Sequence, residues 1–177
     1  MSRTKKIALL GIGAGLACLL LAACSGVGDD EREPLPKANA ATFPPVALML
    51  VPTCGTLDCH GTVGRNLRIL GKEGLRLSTS DVTGGDSTTT KEIEADFASV
   101  IGLEPEILAA VLKDSGKNPE RLTLIRKARG IESHKGGAVL TKGDSADSCL
   151  TGWLKDDSLT VSACTNAIVF PPDFPIK

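Results

Sequence analysis

The chain contains no tyrosine, only four phenylalanines and one tryptophan, two histidines and two methionines. With so few rings, little core volume can be aromatic, and aliphatic side chains or a bound group must fill the rest. Two histidines, His60 and His134, are the only imidazoles on offer for metal or acid–base chemistry. Positive charge is not in surplus. Lys and Arg total 20 against 21 Asp and Glu, and without Arg3, Lys5 and Lys6 residues 24–177 hold 17 basic against 21 acidic. Phosphate backbones need clustered cations, so nucleic acid is excluded as a partner. The Gly84-Gly85-Asp86 loop lacks the Gly-Lys-Ser/Thr of a P-loop, and no Gly-x-Ser-x-Gly marks a hydrolase. No Cys-x-x-Cys in a βαβ setting marks a thioredoxin. Nothing here points to an enzyme. Apolar residues make up 42% of the chain, too many for a disordered protein.

What the chain does have begins with an address. Arg3, Lys5 and Lys6 precede an apolar run from Ile7 to Leu21, and Leu21-Ala22-Ala23-Cys24 follows. This is a secretory signal ending in a bacterial lipobox. The expectation is cleavage after residue 23 and acylation of Cys24. The run is short for a transmembrane helix, which needs about 20 apolar residues and gives no reason for the cysteine. Several acyl chains anchor stably to a membrane. Ser25 rather than Asp after the cysteine directs such a lipoprotein to the outer membrane, facing the periplasm. Residues 24–42 are polar and rich in Gly, Pro and charge, and are expected to form a flexible tether. Residues 43–177, 135 in all, are left for a single domain.

The periodicity of that domain is helical. A two-turn helix is expected over Val46–Val51, after Phe43-Pro44-Pro45 and closed by Pro52. Thr89 and Glu92 have capping-box spacing, with Ile93, Phe97, Val100 and Ile101 on one face behind them. A helix over Pro105–Lys113 would bury Ile107, Leu108, Val111 and Leu112. Asn118-Pro119 opens a third, with Leu122, Ile125 and Ala128 inward and Gly130 as its stop. The last runs from about Ser145 to Lys155, burying Cys149, Leu150, Trp153 and Leu154. Leu75–Leu77 and Ala138–Leu140 are candidate short strands. The fold class is mainly α, with long ordered Gly-rich loops. Residues 53–87 form an irregular stretch that needs a function or an internal staple, and a large buried cofactor would serve.

The dense spot is Cys54-Gly-Thr-Leu-Asp-Cys59-His60-Gly61. Two cysteines followed directly by histidine have the order of a haem c attachment site, Cys-x-x-Cys-His, here with a spacer of four. Each thiol adds to a haem vinyl group, and the adjoining His60 reaches the iron. The second axial ligand is expected to be His134, because Met49 is the only methionine beyond the signal and lies before the cysteine pair. Lys135 is the next donor in line. Arg65, Arg68 and Arg76 follow the site in sequence; each taken singly reads as part of a solvated basic patch, and together they are cations that could meet haem propionates. If Cys54 and Cys59 hold haem, Cys149 and Cys164 remain to pair, closing a loop worth about 3 kcal/mol. Two other arrangements stay open. Cys54 and Cys59 form a disulfide in an oxidising compartment, or Cys54, Cys59, His60 and His134 hold zinc.

The segments CGTLDCHG, GRNLRILG, GLRL, PERLTLIRKARG and HKGG, with the closing Cys149-x-x-x-Trp153, resemble a family of myxobacterial lipoproteins. That family is similar in turn to the cytochrome c-like domains of planctomycete-type exported proteins. The likeness spans about residues 43–155 and departs in its four-residue spacer and missing downstream methionine. It implies a small cytochrome c-like helical domain in which Cys54, Cys59 and His60 occupy the haem motif and His134 the His-Gly-Gly position. The expected function is a lipid-anchored haem c domain for periplasmic electron transfer or redox sensing, acting with a redox partner protein. The alternative is a disulfide-stabilised structural or interaction lipoprotein without haem.

Overall fold

A computed structural model describes residues 36–169. The signal 1–23, the acylation site Cys24 and the tether up to residue 35 lie outside the described residues. Six α-helices and one 3-10 turn make up the regular structure, and no strand occurs among the described residues. The two candidate strands are therefore loops. Val139 and Leu140 both give their N–H to the Ala128 carbonyl, folding that segment onto a helix end rather than a neighbouring strand.

Helix α1 is Pro44–Cys54. Its two leading prolines occupy first-turn positions, where a missing N–H costs nothing. The expectation that Pro52 closes this helix is wrong. The helix continues one turn to Cys54 because Val51, Thr53 and Cys54 are buried, and because Gly55 N–H bonds back to Leu50 and Val51. Thr53 Oγ1 adds a bond of 2.7 Å to the Met49 carbonyl. Met49 itself is fully buried.

Helix α2 is Thr90–Ile101, opened by the expected capping box between Thr89 and Glu92. Helix α3 is Pro105–Lys113. It buries Leu108, Ala109 and Val111 but leaves Ile107 exposed, against expectation. The next helix does not begin at Asn118. Asn118 sits in the left-handed region at φ 50°, a single 3-10 turn covers Pro119–Arg121, and α4 is Thr123–Ala128. Its cap comes from elsewhere in the chain. The Glu104 carboxylate accepts from Thr123 N at 2.6 Å and from Thr123 Oγ1 at 2.8 Å. Gly130 ends α4 at φ 69° in a Schellman arrangement, with Gly130 N–H to Lys127 and Ile131 N–H to Arg126. Helix α5 is Ser145–Leu154, capped by Asp144, with the expected inner face buried. Helix α6, Thr160–Val169, was not expected.

The disulfide Cys149–Cys164 joins α5 to α6, and α6 packs in turn on α1. Three of the five aromatics gather at the centre. Phe43 meets Trp153 at 5.1 Å and Phe97 at 5.3 Å between ring centroids, all edge-to-face. Trp153 Nε1 donates to the Asn39 carbonyl, so the end of the tether docks on the core. No described helix is long and apolar enough to cross a membrane.

The long loop between α1 and α2 has its own staple, which is Arg76. This buried guanidinium bonds both Glu92 carboxylate oxygens and the carbonyls of Val82, Asp86 and Ser87. Burial works to raise the Glu92 carboxyl, but hydrogen bonds from Arg76, Thr89 and Leu77 outweigh it and hold the group at about 2. A buried pair stays charged only when so fully bonded.

Candidate functional site

The backbone turns sharply after α1. His60 N–H bonds the Cys54 carbonyl at 2.9 Å, while Cys59 and Gly61 both donate to Thr56. The four-residue spacer thus closes into one compact loop that carries Cys54, Cys59 and His60 together. Glycines make this possible by close approach. A Cβ on Gly61 would lie 1.8 Å from the Gly55 carbonyl oxygen, and one on Gly74 would lie 2.0 Å from the same atom.

The His60 ring is held from behind. Its Nδ1 lies 2.9 Å from the Leu67 carbonyl. A carbonyl only accepts, so Nδ1 carries the proton and Nε2 keeps its lone pair. His134, in the loop after α4, has the same arrangement, with Nδ1 3.2 Å from the Gly137 carbonyl. Such backing of one ring nitrogen is how proteins orient a ligating imidazole. The two rings are near-parallel and stacked, 5.8 Å between centroids and 17° between planes. Burial lowers the His60 pKa, the Leu67 bond opposes this, and His134 and Arg65 lower it further. His60 is accordingly the neutral, ligand-ready form at neutral pH.

A cavity of about 490 Å³ opens beside this pair, lined by Cys54, His60, His134, Leu103, Leu124 and Val139 among others. A second, of about 200 Å³, is lined by Cys54, Cys59, His60 and His134. Cys54 and Cys59 are free thiols, the first buried and the second half-buried. Burial, with Cys59 beside it, pushes the Cys54 thiol up to about 12. All four residues expected at the site therefore line one cavity, without converging as a cage for a metal ion, and the Cys149–Cys164 bridge expected outside it is formed.

Of the three arginines, Arg65 lines the larger cavity and donates from Nε to the Cys59 carbonyl at 3.1 Å. Arg68 is exposed and borders neither cavity. Arg76 is buried and committed to Glu92, so it neither joins a solvated patch nor stands free for a cofactor. The cation that sequence reasoning missed is Lys127, which lines the cavity from α4 together with Thr123, Leu124 and Ala128. That spacing, i, i+1, i+4 and i+5, marks one helical face and was the available signal. Among the described residues no three His, Cys, Asp or Glu side chains gather as a cage for a metal ion, so the zinc arrangement is not assembled. Comparison of the chain with protein-family models, with curated proteins and with solved structures finds no match.

Proposed function

We propose that the domain carries a covalently attached haem c, held by Cys54, Cys59 and His60 and backed by His134, and that it moves single electrons in the cell envelope. The observation that carries this reading is the His60–His134 pair. The two rings lie stacked 5.8 Å apart beside a cavity that both line, so holding one metal between them would require the rings to turn until each Nε2 points inward. Each ring is anchored through Nδ1, which leaves Nε2 of both for a ligand. A porphyrin supplies four of the iron's ligands, so two imidazoles suffice where a bare ion would need a larger cage. The chemistry supplied by the bound group is reversible one-electron exchange.

The residues present fit such a group. The mainly apolar cavity wall of Leu103, Leu124 and Val139 suits a flat hydrophobic ring. Arg65 places a cation at the same cavity for a carboxylate on its edge, whereas Lys127 there is already ion-paired with Glu132 at 2.8 Å. The thiols of Cys54 and Cys59 are unpaired and border the same space as His60, which favours this reading over a disulfide there. Were His60 and His134 both to hold the iron, no position on it would stay open for oxygen, and the chemistry supplied would be electron transfer. The lipobox at Cys24 and the resemblance to exported cytochrome c-like domains support a lipid-anchored carrier at the outer membrane with a redox partner protein. The test is to produce the full chain alongside cytochrome c maturation machinery and follow its visible spectrum under dithionite and ferricyanide. A haem spectrum that cycles reversibly supports the reading. A colourless protein contradicts it.

A further inference from the structure

Helix α2 buries two acids on successive turns, and only one of them is neutralised. Glu92 has Arg76. Asp96, with no exposed surface, accepts one bond, from Leu70 N–H to Oδ1 at 2.7 Å, and its Oδ2 has no partner. Buried polar atoms left in this state are rare and ask for an explanation.

The segment that Asp96 grips is the one that holds His60. Residues 67–70 form a strap with three fixings besides Asp96. The Leu67 carbonyl accepts from His60 Nδ1, Ile69 N–H donates to the His60 carbonyl at 2.9 Å, and Arg68 N–H donates to Ser99 Oγ at 2.9 Å. Asp96 and Ser99 lie on α2, so the strap runs between that helix and the imidazole. We propose that Asp96 is a positioning residue for His60, and that gain or loss of its proton changes how firmly the strap holds the imidazole.

The chemistry follows from the two states of the carboxyl. As a carboxylate it gives Leu70 N–H a charge-assisted bond, the shorter and stronger kind. Taking a proton from water makes that bond neutral and puts an O–H on the buried oxygen that has no partner in the structure. The strap then loses its firmest fixing on α2, and the bond from His60 Nδ1 to Leu67 weakens with it. A weaker bond at Nδ1 makes Nε2 a poorer donor to any metal. The charged groups facing Asp96 are Glu92 on its own helix and Arg68 on the strap, with Arg76 held away on Glu92. Helix α1, packed against α2, contributes no charged side chain. Burial raises the Asp96 carboxyl most, the Leu70 bond lowers it, Glu92 raises it and Arg68 lowers it, with the result at about 7. The switch therefore lies in the range that an envelope compartment experiences.

Its relevance to a ligand rests on the function proposed above, but the proton switch is a property of the polypeptide. The experiment is an NMR pH titration of the full chain, following Asp96 Cγ, the Leu70 amide and the His60 ring nitrogens, with any bound haem kept reduced. All three should share a transition near 7, distinct from the titration of His60 itself. In Asp96→Asn, which keeps an oxygen for Leu70, that shared transition should vanish from Leu70 and His60. An Asp96 Cγ that titrates in the ordinary carboxylate range overturns the proposal. So does an Asp96 transition near 7 that leaves His60 unmoved. These wild-type readings decide the matter even if the variant fails to fold. A chain without haem would overturn the proposed function and still yield them.

Discussion

Gly61 lies against the Gly55 carbonyl so closely that a single methyl group at residue 61 would overlap its oxygen, at 1.8 Å. Backbone cannot move aside as a side chain tip does, so the loop carrying Cys59 and His60 would have to open. Gly61→Ala should therefore cost about 1–3 kcal/mol or more, read as a lower urea midpoint. It should also release the His60 N–H bond to Cys54, visible as faster amide exchange at His60. An Ala variant as stable as the wild type would mean the loop is not held by this contact.

The Cys149–Cys164 bridge spans 15 residues between α5 and α6, and both cysteines are fully buried. The double Ala variant should lose about 3 kcal/mol on the chain-entropy estimate, measured by urea unfolding. Since the bridge lies outside the cavities, any bound chromophore should keep its spectrum at low urea. A changed spectrum in the folded variant would show that the bridge reaches the site.

Stability should depend on pH in two opposite ways. Glu92 is held at about 2, below its unfolded value, so its contribution is full above about 4.5 and is lost as pH falls toward 2. Asp96 is raised to about 7, so between about 4 and 7 the folded state binds more protons than the unfolded one, and stability falls as pH rises through that window. Thermal midpoints at pH 5 and 7.5 should show the wild type losing stability between them and Asp96→Asn losing less. Equal slopes for the two proteins would contradict this account of Asp96.

The helical character was legible because capping and periodicity are local. Thr89 with Glu92, the Pro105–Lys113 span, the buried face of α5 and the stop at Gly130 all follow from neighbouring residues. What sequence could not show is long-range. The cap of α4 comes from Glu104, 19 positions before Thr123. The staple of the long loop is Arg76 on Glu92, 16 positions apart. Helix α6 has a buried stripe of Thr160, Cys164 and Ala167, too thin in apolar character to declare itself. At the site, the order of Cys54, Cys59 and His60 was readable, and so was the choice of His134, since it was the only other imidazole. The parts supplied by backbone, the Leu67 and Gly137 carbonyls, carry no side-chain signature.

Removing either imidazole should separate their roles. His134→Ala should open one axial position of a bound haem, giving a high-spin spectrum and binding of added imidazole or carbon monoxide, while the thioethers survive. His60→Ala should cost more, because His60 sits within the loop that carries both thiols and is pinned through Leu67. Optical spectra of the two variants check this. An unchanged spectrum in His134→Ala would reduce His134 to a loop residue and leave another donor, such as Lys135, at that position.

The central claim is that Cys54 and Cys59 are joined to one porphyrin. The direct measurement is mass spectrometry of the proteolytic peptide spanning Cys54–His60, from full-length protein produced with cytochrome c maturation machinery and alkylated under denaturing conditions. The account predicts a peptide that carries one haem, with neither cysteine alkylated. A peptide with both thiols alkylated and no haem, or with the two cysteines joined to each other, would contradict it.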